Sequence, residues 1–223
     1  MRSIIGAISM MKIKVLKPRI PENLDQIRLE SISIEDEDLF KEGTITDCYI
    51  EEQRAERVMF ENILFKNVIF LDSSFTSVEF TDLSFVNCDL SNLDLSGAII
   101  HRVEFIDCKL MGTILTDSTL RNVRFKNCNL SYSNFGFSDF KQVIFEKSLL
   151  NYAAFENILL SKVGFDENNM KSMQMNGTKL KGIDLSTSEI DGMGVGVDDL
   201  NEVRVTKLQA IELSTLLGLI ITD

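Results

Sequence analysis

The sequence predicts a solenoid wound from five-residue units, four to a coil, and three observations carry that prediction. First, every fifth residue from Phe60 to Val205 is apolar without a break. Thirteen of these thirty positions are Phe and eleven are Leu, and fourteen of the fifteen Phe in the chain keep this register; Phe137 alone does not. With 44% hydrophobic residues overall, such a run would arise by chance about once in 10^10 trials or fewer, so it is a repeat. A period of five matches neither the 3.6 of a helix nor the 2.0 of a strand.

The second observation is a further inward column two residues before each apolar centre. It runs from Val58 through Ile63, Val68 and Ser73 to Val203, small or apolar throughout except at Asn168 and Asp198. The other three columns hold most of the Asp, Asn, Lys, Glu and Gly, so each unit reads as a flat side followed by a turn. The third observation is a longer period. Six Phe from Phe65 to Phe165 and four Val from Val103 to Val163 recur every twenty residues. Phe85–Leu90, Phe105–Leu110 and Phe125–Leu130 read FVNCDL, FIDCKL and FKNCNL. Four units therefore make one coil, with like residues stacked on like.

This pattern resembles the pentapeptide-repeat family, whose repeat is A(D/N)LXX. The resemblance implies an all-β fold, a right-handed quadrilateral β-helix with the Leu/Phe and small columns filling a narrow interior. Coils about 4.8 Å apart would give a rod of roughly 35–40 Å, each coil contacting only its neighbours. Such a rod has two open ends, and exposed ladder edges need covers. Three segments follow: 1–39 as an N-terminal cap and acidic segment, 40–205 as the β-helix, and 206–223 as a C-terminal helix and strand for capping and dimerisation.

In chain order, residues 1–20 carry five Lys/Arg and no acid, whereas 21–62 carry thirteen acids against four bases. Residues 63–205 carry nineteen against thirteen, so much of the net charge of −11 gathers at the N-terminal end. The apolar stretch Ile4–Met11 is too short for a secretory signal, and Ala7-Ile8-Ser9 comes too early to be its cleavage site. No stretch reaches the ~20 apolar residues of a membrane span. We expect a cytoplasmic protein translated from Met1, Met10 or Met11. Ile13 and Val15 alternate with Lys and predict a short capping strand ended at Ile20-Pro21. Glu35–Asp38 reads as a solvated loop. Phe40, Ile45 and Ile50 keep the register, but Gln53 and Ala55 predict an irregular first coil.

Residues with chemical potential form no catalytic set. Cys48, Cys88, Cys108 and Cys128 share the small inward column without any CxxC, so thiols act there as small apolar fillers, in keeping with a reducing compartment. His101, the only histidine, sits in an outward column without a partner acid and nucleophile. Gly192, Gly194 and Gly196 lack a phosphate-loop frame and suit tight corners. We therefore expect a binding protein with no cofactor, metal or small-molecule substrate.

The outward columns suggest what binds. His101, Arg121, Lys141, Ser161 and Lys181 stack as a basic stripe, and Glu104 lies one coil below Arg124 as a cross-rung ion pair. Asp72, Asp82, Asp89, Asp94, Asp107 and Asp117 crowd the N-terminal half as a candidate acidic partner surface. Val86 over Ile106 and Tyr132 over Tyr152 are candidate docking ladders. At the tail, Thr206-Lys207-Leu208-Gln209 matches a capping box. An apolar helix follows, then Gly218 at C′ and a final strand over Leu219–Ile221. Leu208, Ile211, Leu216, Leu219 and Ile221 form a candidate two-fold dimer interface.

This ending resembles the C-terminal module of the quinolone-resistance (Qnr-type) subgroup. That resemblance implies tail-to-tail dimeric rods that imitate duplex DNA, bind DNA gyrase and topoisomerase IV, and protect them from fluoroquinolones, with no direct nucleic-acid binding. Loops that bulge from the rod in many members have no counterpart between Phe60 and Val205. Two functions remain open: a DNA-mimicking topoisomerase binder, or a general protein-interaction scaffold.

Overall fold

The computed structural model describes residues 13–28 and 33–222. The chain winds as a parallel β solenoid: β1 (Leu39–Thr46), β2 (Tyr49–Glu51), β3 (Arg54–Glu56), β4 (Met59–Lys66), β5 (Ile69–Leu71), β6 (Ser74–Thr76), β7 (Glu79–Val86), β8 (Ile99–Ile106), β9 (Thr119–Lys126), β10 (Asp139–Glu146) and β11 (Leu159–Asp166), closed by helix α1 (Lys207–Ser214). The eight-residue strands stack as one sheet in the order β1-β4-β7-β8-β9-β10-β11. Register is twenty residues throughout, with Phe85 opposite Phe105 and Phe105 opposite Phe125. The other two sides carry the pairs β2–β5 and β3–β6, then single bridges such as Asp89 to Lys109 and Asp94 to Ile114.

The twenty-residue stacking of Phe is the spine of the core. Successive rings from Phe65 through Phe85, Phe105, Phe125 and Phe145 to Phe165 lie 4.5–5.3 Å apart and within 10° of parallel. The parallel ladder imposes that spacing, and the five stacked pairs add roughly 0.5–1.5 kcal/mol each beyond the area they bury.

Backbone conformation at the corners explains why the unit has five residues. Every residue from Glu37 to Glu202 whose number ends in 2 or 7 has positive φ, except Thr187 and Val197. An eight-residue strand thus covers two sides: pairing of β1 with β4 passes from Lys41–Glu61 to Gly43–Ile63, skipping the corner at Glu42, φ 52°. Half of the corner residues are Asn, Asp or Gly, the types that tolerate this region. Thr187 and Val197, the only β-branched residues in the column, are where the left-handed corner is lost. At the first, Thr187 Oγ1 accepts the Glu167 N–H at 3.2 Å. At the second, the chain takes a 3-10 turn over Val197–Asp199.

The small inward column bonds as well as fills. A side chain there accepts the N–H one coil earlier and donates to a carbonyl 23 residues back: Ser138 Oγ takes the Ser118 N–H at 3.0 Å and gives to Leu115 O at 2.8 Å. Asn168, out of character for the column, does the same with both ends of its amide and is 2% exposed.

Both ends differ in detail from expectation. The first coil is regular, with β1 in full register on β4. Gln53 is the docking point of the cover: its Oε1 accepts the N–H of buried Ile34 at 2.9 Å. The acidic segment Glu35–Asp38 is the solvated loop expected, an exposed turn tied to the next coil, where Asp38 O accepts the Met59 N–H and Asp36 Oδ1 the Glu56 N–H, each at 2.8 Å. Residues 13–20 form no capping strand; they lie along the side of the rod. At the far end the capping box is present, and Gly218 ends the following 3-10 turn at φ 72°, but 219–222 form no strand. The last coil is covered by the amide of Gln209 and by Leu213 rather than by the whole apolar face.

Candidate protein-binding surfaces

The six candidate acidic residues each have a reason that the fold supplies. Asp72, Asp82, Asp107 and Asp117 occupy left-handed corners, where Asp is favoured whatever it binds. Asp89 and Asp94 precede an inward Leu and accept the N–H two residues on, at Ser91 (3.1 Å) and Ser96 (2.9 Å), local turns that Asp makes readily. Asp89 also pairs with Lys109 at 3.4 Å, and Asp107 accepts from Asn127 at 2.9 Å. Asp82 departs furthest from a surface carboxylate. It is 5% exposed, bonded to Arg102 (2.5 and 2.6 Å) and to the Arg19 N–H (2.9 Å). Burial alone would raise its pKa, but Arg102 and that N–H outweigh burial and hold it below the ordinary value. Asp82 is an internal anchor.

Of the basic stripe, Lys181 pairs with Glu202 at 2.9 Å, whereas Lys141 is exposed and forms no ion pair among the described residues. Arg121 pairs with Asp139 and donates to its carbonyl at 2.7 Å. The His101 ring packs against Arg102; burial first, then the Arg102 charge, lowers its pKa and keeps it neutral. Arg124 lies between Glu104 (3.8 Å) and Glu146 (3.7 Å), the first of these being the expected cross-rung pair. Residues 119–158 carry five bases and three acids, so a mildly basic stretch interrupts the acidity of the coils on either side.

The thiols are structural. Cys108 Sγ accepts the Cys88 N–H at 3.4 Å and donates to Phe85 O. Its hydrogen bond with Cys128 and burial push the Cys108 pKa up to about 12, and Cys88 is raised too, by its bond to Cys108 and by burial. No group of three or more His, Cys, Asp or Glu among the described residues is arranged to hold a metal.

Two apolar surfaces stand out. Tyr132 and Tyr152 occupy successive left-handed corners (φ 61° and 59°) with rings stacked at 5.0 Å and 6°, and are 60% and 54% exposed. Phe137, at the next corner of the Tyr132 coil, has φ 63° and is 66% exposed. The side between these corners carries Asn134, Gly136, Ala154 and one exposed charge, Glu156. Bulky aromatics in the least suitable backbone conformation, with their rings in water, do nothing for the core. Val86 and Ile106 are paired in register and half-buried. At the tail Leu208, Ile211, Leu216, Leu219 and Ile221 are all exposed, from 40% to 79%. The sequence reading pointed to Tyr132 and Tyr152 but not to Phe137, although its break from the Phe register was visible.

A family model described as Pentapeptide repeat region matches residues 78–155 and 125–194, together more than half of the chain. The chain belongs to the pentapeptide-repeat family. The chain is also similar to solved structures of three proteins. QnrB1, a plasmid-mediated fluoroquinolone resistance protein, is 14% identical over 79% of this chain and 100% of its own (TM-score 0.34). HetL, involved in heterocyst differentiation regulation in the cyanobacterium Nostoc sp. strain PCC 7120, is 11% identical over 76% and 87% (0.36). A pentapeptide repeat protein of the Arabidopsis thaliana thylakoid lumen is 17% identical over 56% and 68% (0.34). A comparison with curated proteins finds no match. No helix among the described residues is long and apolar enough to cross a membrane.

Proposed function

We propose that this pentapeptide-repeat rod is a non-catalytic protein-binding scaffold that docks its partner through the Tyr132–Tyr152–Phe137 corners. The observation that carries this reading is the pair of stacked, exposed tyrosines at strained corners. Aromatic side chains of this kind dominate protein interfaces because they bury large area with few rotatable bonds. The test is affinity capture followed by mass spectrometry with the wild type and with the triple variant Tyr132→Asn, Tyr152→Asn, Phe137→Asn. A partner recovered by the wild type and lost by the variant supports the reading, whereas an unchanged set of captured proteins refutes it.

The second reading is a DNA mimic that binds DNA gyrase or topoisomerase IV and protects it from fluoroquinolones. The net charge of −11, with thirteen acids among residues 21–62, favours it; the excess of bases in residues 119–158 weighs against it. Rescue of ciprofloxacin-inhibited supercoiling by the purified protein would favour this reading over the scaffold, and no effect on either enzyme would remove it. Both readings accommodate a homodimer through the exposed tail, with Leu208, Ile211, Leu216, Leu219 and Ile221 at its interface. Light scattering that gives the 25.2 kDa monomer mass would exclude the dimer.

A further inference from the structure

Residues 13–20 lie lengthwise on the rod, across its strands. Gln142 Nε2 donates to Lys14 O (3.0 Å), Leu16 N–H donates to Asn122 Oδ1 (3.2 Å) and Arg19 N–H to Asp82 Oδ1 (2.9 Å). Gln142, Asn122 and Asp82 occupy one corner column, so the segment descends three coils, ~14 Å, in five residues, close to the ~17 Å of a fully extended chain. A chain crossing strands near a right angle cannot join their ladder. Among the described residues, its backbone-to-backbone bonds to the rod begin at Asp25 and Ile27, against Thr44. Between 13 and 20 the rod's side chains read the peptide's backbone instead.

The surface beneath is shaped for this occupant. Ile13, Val15, Pro18 and Ile20 are half-buried, while Lys14, Leu16, Lys17 and Arg19 face outward. Ile13 lies over Gly164, where a Cβ would come within 3.0 Å of Ile13 Cδ1, and beside buried Ile144. We propose that this corner column is an exchangeable peptide-docking track, and that a partner presenting an extended segment of inward apolar residues interleaved with cations displaces the protein's own strap from it. The occupant's chemistry is read from the strap itself, whose three cations lie on a chain of net charge −11. Side-chain-only anchoring makes the strap removable without opening the rod.

The test uses a fluorescein-labelled peptide of residues 12–21 and the full-length chain. Ile13→Asp with Val15→Asp puts carboxylates against the apolar strip and frees the track. Fluorescence anisotropy should show this variant binding the peptide at least about tenfold more tightly than the wild type, where the tethered strap competes at an effective concentration of ~mM. Gly164→Val added to the variant should abolish binding. Absence of binding to a folded strap variant overturns the proposal. So does equal binding of a scrambled peptide, which would reduce the effect to charge attraction. Hydrogen exchange on the wild type is an independent check: the Leu16 and Arg19 amides should exchange by local opening, well ahead of ladder amides such as Phe105, and equal protection would refute a displaceable strap.

Discussion

Gln209 donates its side-chain amide to the carbonyl of Leu185, 24 residues earlier, at 2.9 Å. The same Nε2 reaches Ser188 O at 2.8 Å, and Oε1 accepts the Thr206 N–H at 2.8 Å. One buried amide thus serves both as the N3 partner of the helix capping box and as the plug for two carbonyls of the solenoid's open end. Gln209→Leu keeps the volume and strands all three groups. We expect a loss of about 2–3 kcal/mol in chemical denaturation, with fraying confined to the last coil by hydrogen exchange.

Asn168 is the corresponding device inside the rod. Its Oδ1 accepts the Ser148 N–H at 2.9 Å and its Nδ2 donates to Phe145 O at 2.9 Å. Asn168→Asp would turn the donor into a carboxylate oxygen facing that carbonyl. The expected cost is about 3 kcal/mol at pH 7, partly recovered on acidification as the new carboxyl protonates. A denaturation midpoint unchanged from wild type would contradict this account.

Phe137 is expected to respond in the opposite direction. It holds φ 63° with its ring 66% exposed, so Phe137→Asn removes backbone strain while giving up little packing. Stability should rise by about 0.5–1 kcal/mol, readable as a higher Tm. A fall would mean that the ring packs in solution.

Acid should weaken the protein in two steps. The neutral form of His101 is favoured by burial and by the Arg102 charge, so its folded pKa lies below the reference 6.5. The unfolded chain then binds the proton more readily, and stability is lost as pH falls from about 6.5 towards the lower folded value. Asp82, also held below its reference 3.8, contributes stability above that pH that disappears as acidity deepens further. His101→Gln should flatten the first step in a pH series of urea melts. Asp82→Asn should flatten the second and cost about 2 kcal/mol at pH 7 by stranding Arg102.

By itself the sequence determined the coil: a period of five, two inward columns and twenty-residue stacking demand a solenoid, because only that winding buries every fifth residue. It also determined the helix start at Thr206 and the filler role of Cys88, Cys108 and Cys128. The corner column was legible in principle, since Asn, Asp and Gly fill half of it and β-branched residues enter only at Thr187 and Val197. Tertiary structure alone decided which charges are available. Asp82 looked like its neighbours in sequence, yet it became buried because residues 13–20 cross its coil and offer it the Arg19 N–H. That crossing joins positions 63 apart through side chains rather than through the ladder. A bond of that kind leaves no period in the sequence.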